Sequence, residues 1–157
     1  MQPGESPASK ISDLKSHTGF WLRFVSNHVS HRFAAKLAGS GATVAEWVVL
    51  REMFDSDVTS PSALASLTGL TRGAISKLVE RLRAKKLLTR VESVQDRRFQ
   101  DVSLTAAGRA LVPRLAALAD ENEAEFFSHL SPDERQRLVS TLRKLVQINQ
   151  LTKIPIE

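Results

Sequence analysis

The chain of 157 residues contains no cysteine. Disulfide bonds, thiolate zinc sites and redox sensing through cysteine are therefore excluded. Signature motifs of common enzyme classes are missing too: there is no phosphate-binding loop, no zinc-protease motif and no nucleophile elbow. The acidic cluster of residues 120–125 is typical of a solvated helix face rather than of a catalytic site. These absences argue against an enzyme.

Long apolar runs are also absent. No stretch approaches the roughly 18 apolar residues of a membrane span, and the first ten residues lack the charged and apolar regions of a signal peptide. We expect residues 1–10, rich in Pro, Ser and Gly, to form a flexible tail. The remainder, in a chain with 42% hydrophobic and 25% charged residues, fits a soluble globular protein without membrane association, and we expect a cytoplasmic location.

Positive charge is concentrated in one part of the chain. Residues 71–98 hold nine basic and three acidic residues, a net charge of +6, whereas the whole chain carries +5. The other residues are therefore slightly acidic in total. A local positive field of this kind is typical of a surface that binds phosphates. A purely structural or protein-interaction role would not explain it.

Apolar periodicity predicts two helices before this basic region. One long helix is predicted from residue 12 or 13 to Leu37, because apolar residues recur about every four positions within it. They are Phe20, Phe24, Val25, Val29, Phe33 and Leu37. Thr43, with Glu46 three residues later, predicts a capping box that begins the second helix. Its predicted inward face is formed by Trp47, Leu50, Met53 and Phe54.

The next two predicted helices are joined by a short turn. Ser60 and Pro61 begin a helix that we expect to run through Leu67. Residues 68–70 form a turn containing Gly, and Thr71 caps a helix over residues 71–86. Two helices joined in this way match the helix-turn-helix signature. The predicted outward face of the second helix carries small or cationic residues: Arg72, Gly73, Ser76, Lys77 and Arg81.

The segment 89–104 predicts a β-hairpin. Thr89–Glu92 and Gln100–Leu104 alternate in character, with Val102 and Leu104 on one side. Arg97 and Arg98 lie at the exposed tip, where a guanidinium can reach a phosphate or enter a narrow minor groove. Asp96 is interpreted as a partner that rigidifies the tip, because a carboxylate near phosphate is repelled.

Two further helices follow the hairpin. Thr105 caps a helix to about residue 128, and a helix of that length extends roughly 36 Å, too long for a small domain to cover. Ser131 and Glu134 repeat the capping pattern before a final amphipathic helix. We expect residues 43–105 to form a DNA-binding domain, and the apolar stripe of the long helix needs partner helices. The final helix presents an apolar stripe of Leu138, Leu142, Leu145 and Val146.

Two runs carry a resemblance to a known family. Residues 96–108, DRRFQDVSLTAAG, are similar to the wing signature of the multiple antibiotic resistance regulator (MarR) family of winged helix-turn-helix transcription factors. Residues 70–90, LTRGAISKLVERLRAKKLLTR, resemble its recognition helix and first wing strand. The resemblance covers about residues 12–150. It implies a mainly α fold with a small β-hairpin wing and with dimerisation helices at both ends, in residues 11–40 and 106–157.

The resemblance further implies a homodimer that binds pseudo-palindromic double-stranded DNA, with a recognition helix in each major groove and a wing at the neighbouring minor groove. We expect Thr71, Arg72, Gly73, Ser76 and Lys77 to lie in the major groove, with Arg72 and Lys77 as the guanine contacts. Arg81 and Arg90 are expected to hold phosphates. Arg97 or Arg98 is expected to enter the minor groove; the sequence leaves open which. The resemblance to the family favours a repressor over an activator.

A small aromatic or phenolic effector is also implied by the resemblance, and no other cofactor is expected. Its pocket would be lined by Trp21, Phe24, His28, Trp47 and Arg51, although aromatic residues at helical spacing are more often core residues. His28 and His31 stand three positions apart and leave a metal-responsive regulator as an alternative. A DNA-binding protein without an effector is a further alternative.

Overall fold

The computed structural model describes residues 11–154, so the predicted flexible tail lies outside the described residues. The structure is mainly helical with one antiparallel hairpin, which confirms the predicted fold class. Its elements are α1 (Thr18–Leu37), α2 (Val44–Phe54), α3 (Pro61–Thr68), α4 (Arg72–Ala84), β1 (Leu88–Glu92), β2 (Gln100–Leu104), α5 (Ala106–Phe127) and α6 (Pro132–Ile148).

Side-chain caps begin the helices where the sequence predicted them. The Thr43 hydroxyl accepts the Glu46 backbone N–H at 3.2 Å, and a Glu46 carboxylate oxygen accepts the Thr43 N–H at 2.9 Å. The same reciprocal box joins Ser131 and Glu134. Single hydroxyl caps are provided by Ser60, Thr71 and Thr105. Each cap satisfies a backbone donor that the first helical turn leaves free.

Two helix ends differ from the prediction. The first helix begins at Thr18 rather than at residue 12 or 13, because a 3-10 turn over Leu14–Ser16 is followed by an extended His17. The recognition helix, α4, ends at Ala84 rather than at residue 86. Lys86 adopts a φ of +59°, and the Leu87 N–H bonds back to the Leu82 carbonyl, which closes the helix.

The hydrophobic core joins the end of α1 and the start of α5 to α2, α3, α4 and the hairpin. The inward face of α2 is rotated relative to the prediction: Glu46 and Val49 are buried with Leu50 and Met53, whereas Trp47 and Phe54 are half-buried. Helix α6 contributes no buried residue. Among residues 11–154, no helix is both long and apolar enough to cross a membrane.

The hairpin is fixed to the helices at its base. Strand β1 pairs with β2 from Leu88–Leu104 to Glu92–Gln100, and Thr59 exchanges two backbone hydrogen bonds with Val102. A Cβ at Gly108 would overlap the Leu87 carbonyl oxygen. Only glycine therefore allows the start of α5 to pack this closely against the segment that leads into β1.

Candidate nucleic-acid interface

The recognition helix has one buried and one exposed face. Its buried side chains, at 5% exposure or less, are Ile75, Leu78, Val79 and Leu82. Its exposed residues include all five predicted for the outward face: Arg72, Gly73, Ser76, Lys77 and Arg81. Thr71 is half-buried and its hydroxyl accepts the Ala74 N–H at 3.1 Å. The face is therefore rigidly supported from beneath and open to a ligand.

Gly73 has no packing role within the described chain. A Cβ added there would have no neighbouring atom within 4 Å, and the residue lies inside a regular helix. Glycine in a helix is destabilising relative to alanine. Its presence is consistent with close approach of a ligand to the helix backbone.

Not all cations of the basic region are free. Glu80 forms ion pairs with Arg83, at 3.1 Å, and with Arg90. Lys85 pairs with Glu46. Among the described residues, no carboxylate lies within 4 Å of the basic groups of Arg72, Lys77, Arg81 and Lys86. Of the two residues predicted to hold phosphates, Arg81 is thus unpaired within this set, whereas Arg90 is paired.

The Glu46–Lys85 pair was not anticipated from the sequence. Burial opposes ionisation of Glu46, but hydrogen bonds from the Lys85 ammonium and the Thr43 amide outweigh it, and the pKa of Glu46 is lowered. The Lys85 ammonium also donates to the Gly41 carbonyl at 2.9 Å. Lys85 therefore ties the end of α4 to the loop before α2 instead of adding a free charge to the surface.

At the wing tip, Asp96 and Arg98 form a two-point pair. Arg98 Nε lies 3.0 Å from Asp96 Oδ1, and Arg98 Nη2 lies 2.7 Å from Oδ2. This side-chain contact, together with the Arg98 backbone N–H, lowers the pKa of Asp96. Arg97 is 89% exposed and reaches Glu92 only at 3.8 Å. The two arginines therefore differ: Arg98 is oriented, and Arg97 is nearly unrestrained.

Arg109 is another residue that sequence reasoning missed. It donates to the Phe54 carbonyl at 3.2 Å and to the Ser56 carbonyl at 3.4 Å, while its guanidinium lies over the Phe54 ring. The Ser103 hydroxyl donates to the Asp57 carbonyl at 2.7 Å. These contacts join α5 and β2 to the loop between α2 and α3. Arg109 directly follows Gly108 of the wing signature. Its partners are more than 50 residues away in the chain, so no local sequence pattern predicts them.

The predicted pocket residues form two separate groups. On α1, Phe24 lies between Trp21 and His28, with ring centroids 6.4 Å and 4.7 Å away. On α2, Trp47 packs edge-on against Phe33, and Arg51 pairs with Asp55 at 2.8 Å. Among the described residues, Trp21 lines a groove to which Trp47 and Arg51 do not contribute. No cluster of three or more potential metal ligands that would include His28 and His31 occurs within residues 11–154.

Clefts beside the helices include the following. One, of about 1090 Å³, runs between the end of α1 and the start of α5; Leu37, Lys85 and Arg114 are among its lining residues. Another, of about 690 Å³, is an apolar groove between α1, α5 and α6. Trp21 lines this second groove together with Leu138 and Leu142.

Helices α1 and α6 leave apolar side chains exposed. The predicted stripe of α6, Leu138, Leu142, Leu145 and Val146, is 38–46% exposed. On α1, Trp21 and Phe24 are each about half exposed. Contiguous apolar surface of this kind is typical of a protein–protein interface.

Comparison with known proteins is consistent with this geometry. A family model described as "MarR family" matches residues 40–98. The HTH-type transcriptional repressor Mb2911 of Mycobacterium bovis is 28% identical over 127 residues, which cover 81% of this chain and 91% of that protein.

Solved structures show the same fold. BpsR of Bordetella bronchiseptica, whose structure describes a mechanism for regulation of its DNA binding by 6-hydroxynicotinic acid, is 30% identical with a TM-score of 0.81. The match covers 86% of this chain and 96% of that one. A mutant MarR from E. coli complexed with operator DNA gives a TM-score of 0.79 at 24% identity, over 86% of this chain and 99% of that one.

Proposed function

The chain belongs to the MarR family of winged helix-turn-helix transcriptional regulators, and from this we propose that it is a repressor that binds pseudo-palindromic DNA as a homodimer and releases it on binding a small aromatic anion. Its class is that of a transcriptional regulator and not of an enzyme. The observation that carries the proposal is the exposed, cationic face of α4 beside a wing whose arginines are exposed.

The major-groove contacts are proposed to come from the first two turns of α4. Arg72 and Lys77 are exposed and unpaired by carboxylates of the described residues, so they are available to guanine edges. Gly73 and Ser76 lie between them and admit the helix deep into the groove. Thr71, whose hydroxyl oxygen caps α4, retains its O–H proton for a contact.

The phosphate and minor-groove contacts are proposed for the flanks. Arg81 is free to reach a phosphate. Arg90 would first have to break its ion pair with Glu80 before it could bind one. We assign the minor-groove contact to Arg98. Arg98 Nε and Nη2 donate to the Asp96 carboxylate, and Arg98 Nη1 is left free. The Arg98 side chain is therefore oriented before DNA binds.

The homodimer is proposed to form through α1 and α6. Their exposed apolar side chains have no cover within the described chain, and an isologous two-fold interface would bury both copies at once. Two-fold symmetry would place the recognition helices about 34 Å apart, one DNA turn, and would select a pseudo-palindrome. Residues 43–105 would then be the DNA-binding domain, and the terminal helices the dimerisation region.

An aromatic carboxylate is proposed as the effector. The support is the likeness to BpsR, whose DNA binding is regulated by 6-hydroxynicotinic acid. In a dimer, the α1 aromatic group of Trp21, Phe24 and His28 from one protomer could approach Trp47 and Arg51 of the other. Arg51 is exposed and would exchange Asp55 for the ligand carboxylate.

A gel-shift titration tests the proposal. The probe is the DNA upstream of the chain's own gene, and the protein is titrated with and without 6-hydroxynicotinic acid and other aromatic acids. We expect a saturable shift that an effector reverses. A shift that no acid reverses, but that a divalent metal changes, would favour the metal-responsive alternative. Absence of any sequence-preferring shift would refute the proposal.

A further inference from the structure

The chain bends sharply after α6 and returns to the helix-turn-helix. Gln150 adopts a φ of +51°, and the N–H groups of Gln150 and Leu151 bond back to the carbonyls of Gln147 and Val146, at 3.2 and 3.0 Å. This is the hydrogen-bond pattern that ends a helix with a left-handed residue. Such a conformation is disfavoured for glutamine. The direction of the following segment is therefore imposed by a defined turn.

The returning segment contacts the turn between α3 and α4. The Ile154 N–H donates to the Gly69 carbonyl oxygen at 2.8 Å. Ile154 Cγ1 and Lys153 Cα lie 3.4 Å and 3.7 Å from the position of a Cβ on Gly69. Gly69 itself has a φ of +73° and ends α3. The segment thus bonds to the backbone of the helix-turn-helix turn and packs against it.

This contact joins the two functional parts of the chain. Gly69 lies two residues before Thr71, the cap of the recognition helix, and the segment begins directly beyond the exposed apolar stripe of α6. We propose that Leu151–Ile154 is a strap that fixes the helix-turn-helix turn relative to α6 and thereby restricts the half-site spacing that the dimer accepts. The proposal rests on the DNA-binding homodimer proposed above.

The contact between Ile154 and Gly69 would restrict half-site spacing because it attaches the winged region to the terminal helices at a further point. The winged region is already joined to the terminal helices where α1 and α5 pack with α2. Helix α6 makes no extensive contact with the winged region among the described residues, so the contact at the turn limits movement of the turn relative to α6. Because the spacing of the recognition helices sets the spacing of half-sites, a lost strap would broaden the set of operators bound.

A spacing series tests the strap. Duplexes carry the operator half-sites at the native separation and with one base pair added or removed, and the affinity of each is measured by fluorescence anisotropy. The variant Ile154→Pro removes the N–H donor, whereas Ile154→Ala keeps it. A second pair of chains ends after Gln150 or after Ile154, so that only the first lacks the strap. Sedimentation measures the dimer in every case.

We expect Ile154→Pro and the chain ending at Gln150 to remain dimeric. The ratio of their affinities for native and altered spacing should fall about two- to tenfold, because one backbone hydrogen bond is worth a free energy of this size. The controls, Ile154→Ala and the chain ending at Ile154, should keep the preference for native spacing. Unchanged spacing preference in both strap variants would overturn the proposal, as would dissociation of the dimer by Ile154→Pro. If the unaltered protein bound no palindrome at any spacing, the proposed function itself would fail, and the strap with it.

Discussion

The Lys85 ammonium lies 2.7 Å from a carboxylate oxygen of Glu46, whose side chain is only 1% exposed. Because Lys85 caps the recognition helix and Glu46 belongs to the box that begins α2, one ion pair holds two helix ends together. Removing one partner of such a pair is costly, since the other charge remains buried.

Lys85→Met should lower the free energy of unfolding by about 1–3 kcal/mol, because Glu46 keeps its charge and loses its strongest donor. Adding Glu46→Gln should recover part of the loss. Urea denaturation at fixed protein concentration measures both, and the double-mutant cycle gives the coupling. Lys86→Met is the matched control, since Lys86 has no carboxylate within 4 Å among the described residues. If Lys85→Met and Lys86→Met lowered the free energy of unfolding equally, the role of the Glu46–Lys85 pair would be refuted.

Acid should weaken the same contact. The pKa of Glu46 is lowered from a reference of 4.5. A lowered folded-state pKa means that the stabilisation is present above the unfolded-state pKa and is lost as the pH falls through the folded value. The stability difference between the unaltered protein and Glu46→Gln should therefore shrink below about pH 4.5. Urea titrations from pH 7 to pH 3 check this; a difference that grows in acid would contradict it.

Gly73→Ala should change stability and DNA affinity in opposite directions. The helix should gain about 0.5–1 kcal/mol, since the methyl group meets no other atom of the described chain. The same methyl group would project from the face proposed to enter the groove, so the affinity for operator should fall. Gly19→Ala, at another helical glycine with no neighbour within 4 Å, is the control. Equally weak operator binding by this control, while sedimentation shows an intact dimer, would contradict the proposed role of Gly73.

The wing variants should separate the two arginines. Arg98→Ala should weaken operator binding more than Arg97→Ala, because only Arg98 is oriented by Asp96. The double variant should reduce the slope of log affinity against log salt by about one unit per lost phosphate contact. Anisotropy titrations over a salt series give both quantities. Retained affinity and slope in the double variant would show that the wing does not touch DNA.

Charge on the α6 stripe should prevent dimerisation. Leu142→Arg or Leu145→Glu would place an unpaired charge in the proposed apolar interface, which is costly. Ser140→Arg, two residues before Leu142 and outside the stripe, is the control. Sedimentation should show monomers for the first two variants and dimers for the control. Dimers in all three would exclude this face as the interface.

The features that were predictable from the sequence depend on residues close together in the chain. The capping boxes of Thr43 and Ser131 each need a partner three residues away, and the buried face of α4 follows one helical period. Contacts between distant residues gave no such signal. Glu46 with Lys85, and Gly69 with Ile154, are separated by 39 and 85 residues, and only the fold brings them together.

The remaining errors have local causes. Helix α1 begins later than predicted, because the Ser16 hydroxyl bonds to the Asp13 carbonyl and His17 is extended. Burial of Glu46 was missed because a carboxylate is expected at the surface unless a partner is known. The sequence places that partner, Lys85, only in the net charge of residues 71–98 and gives no sign of its distant carboxylate.

Anisotropy titration with the operator duplex and a scrambled duplex tests most directly whether the exposed face of α4 reads DNA. At physiological salt the unaltered protein should bind the operator at least about 10³-fold more tightly than the scrambled duplex. Arg72→Ala combined with Lys77→Ala should lose about 30-fold or more on the operator, since each guanine contact contributes about 1–3 kcal/mol. Arg114→Ala, on the exposed surface of α5, should bind normally. Undiminished operator preference in the double variant would contradict the proposed interface.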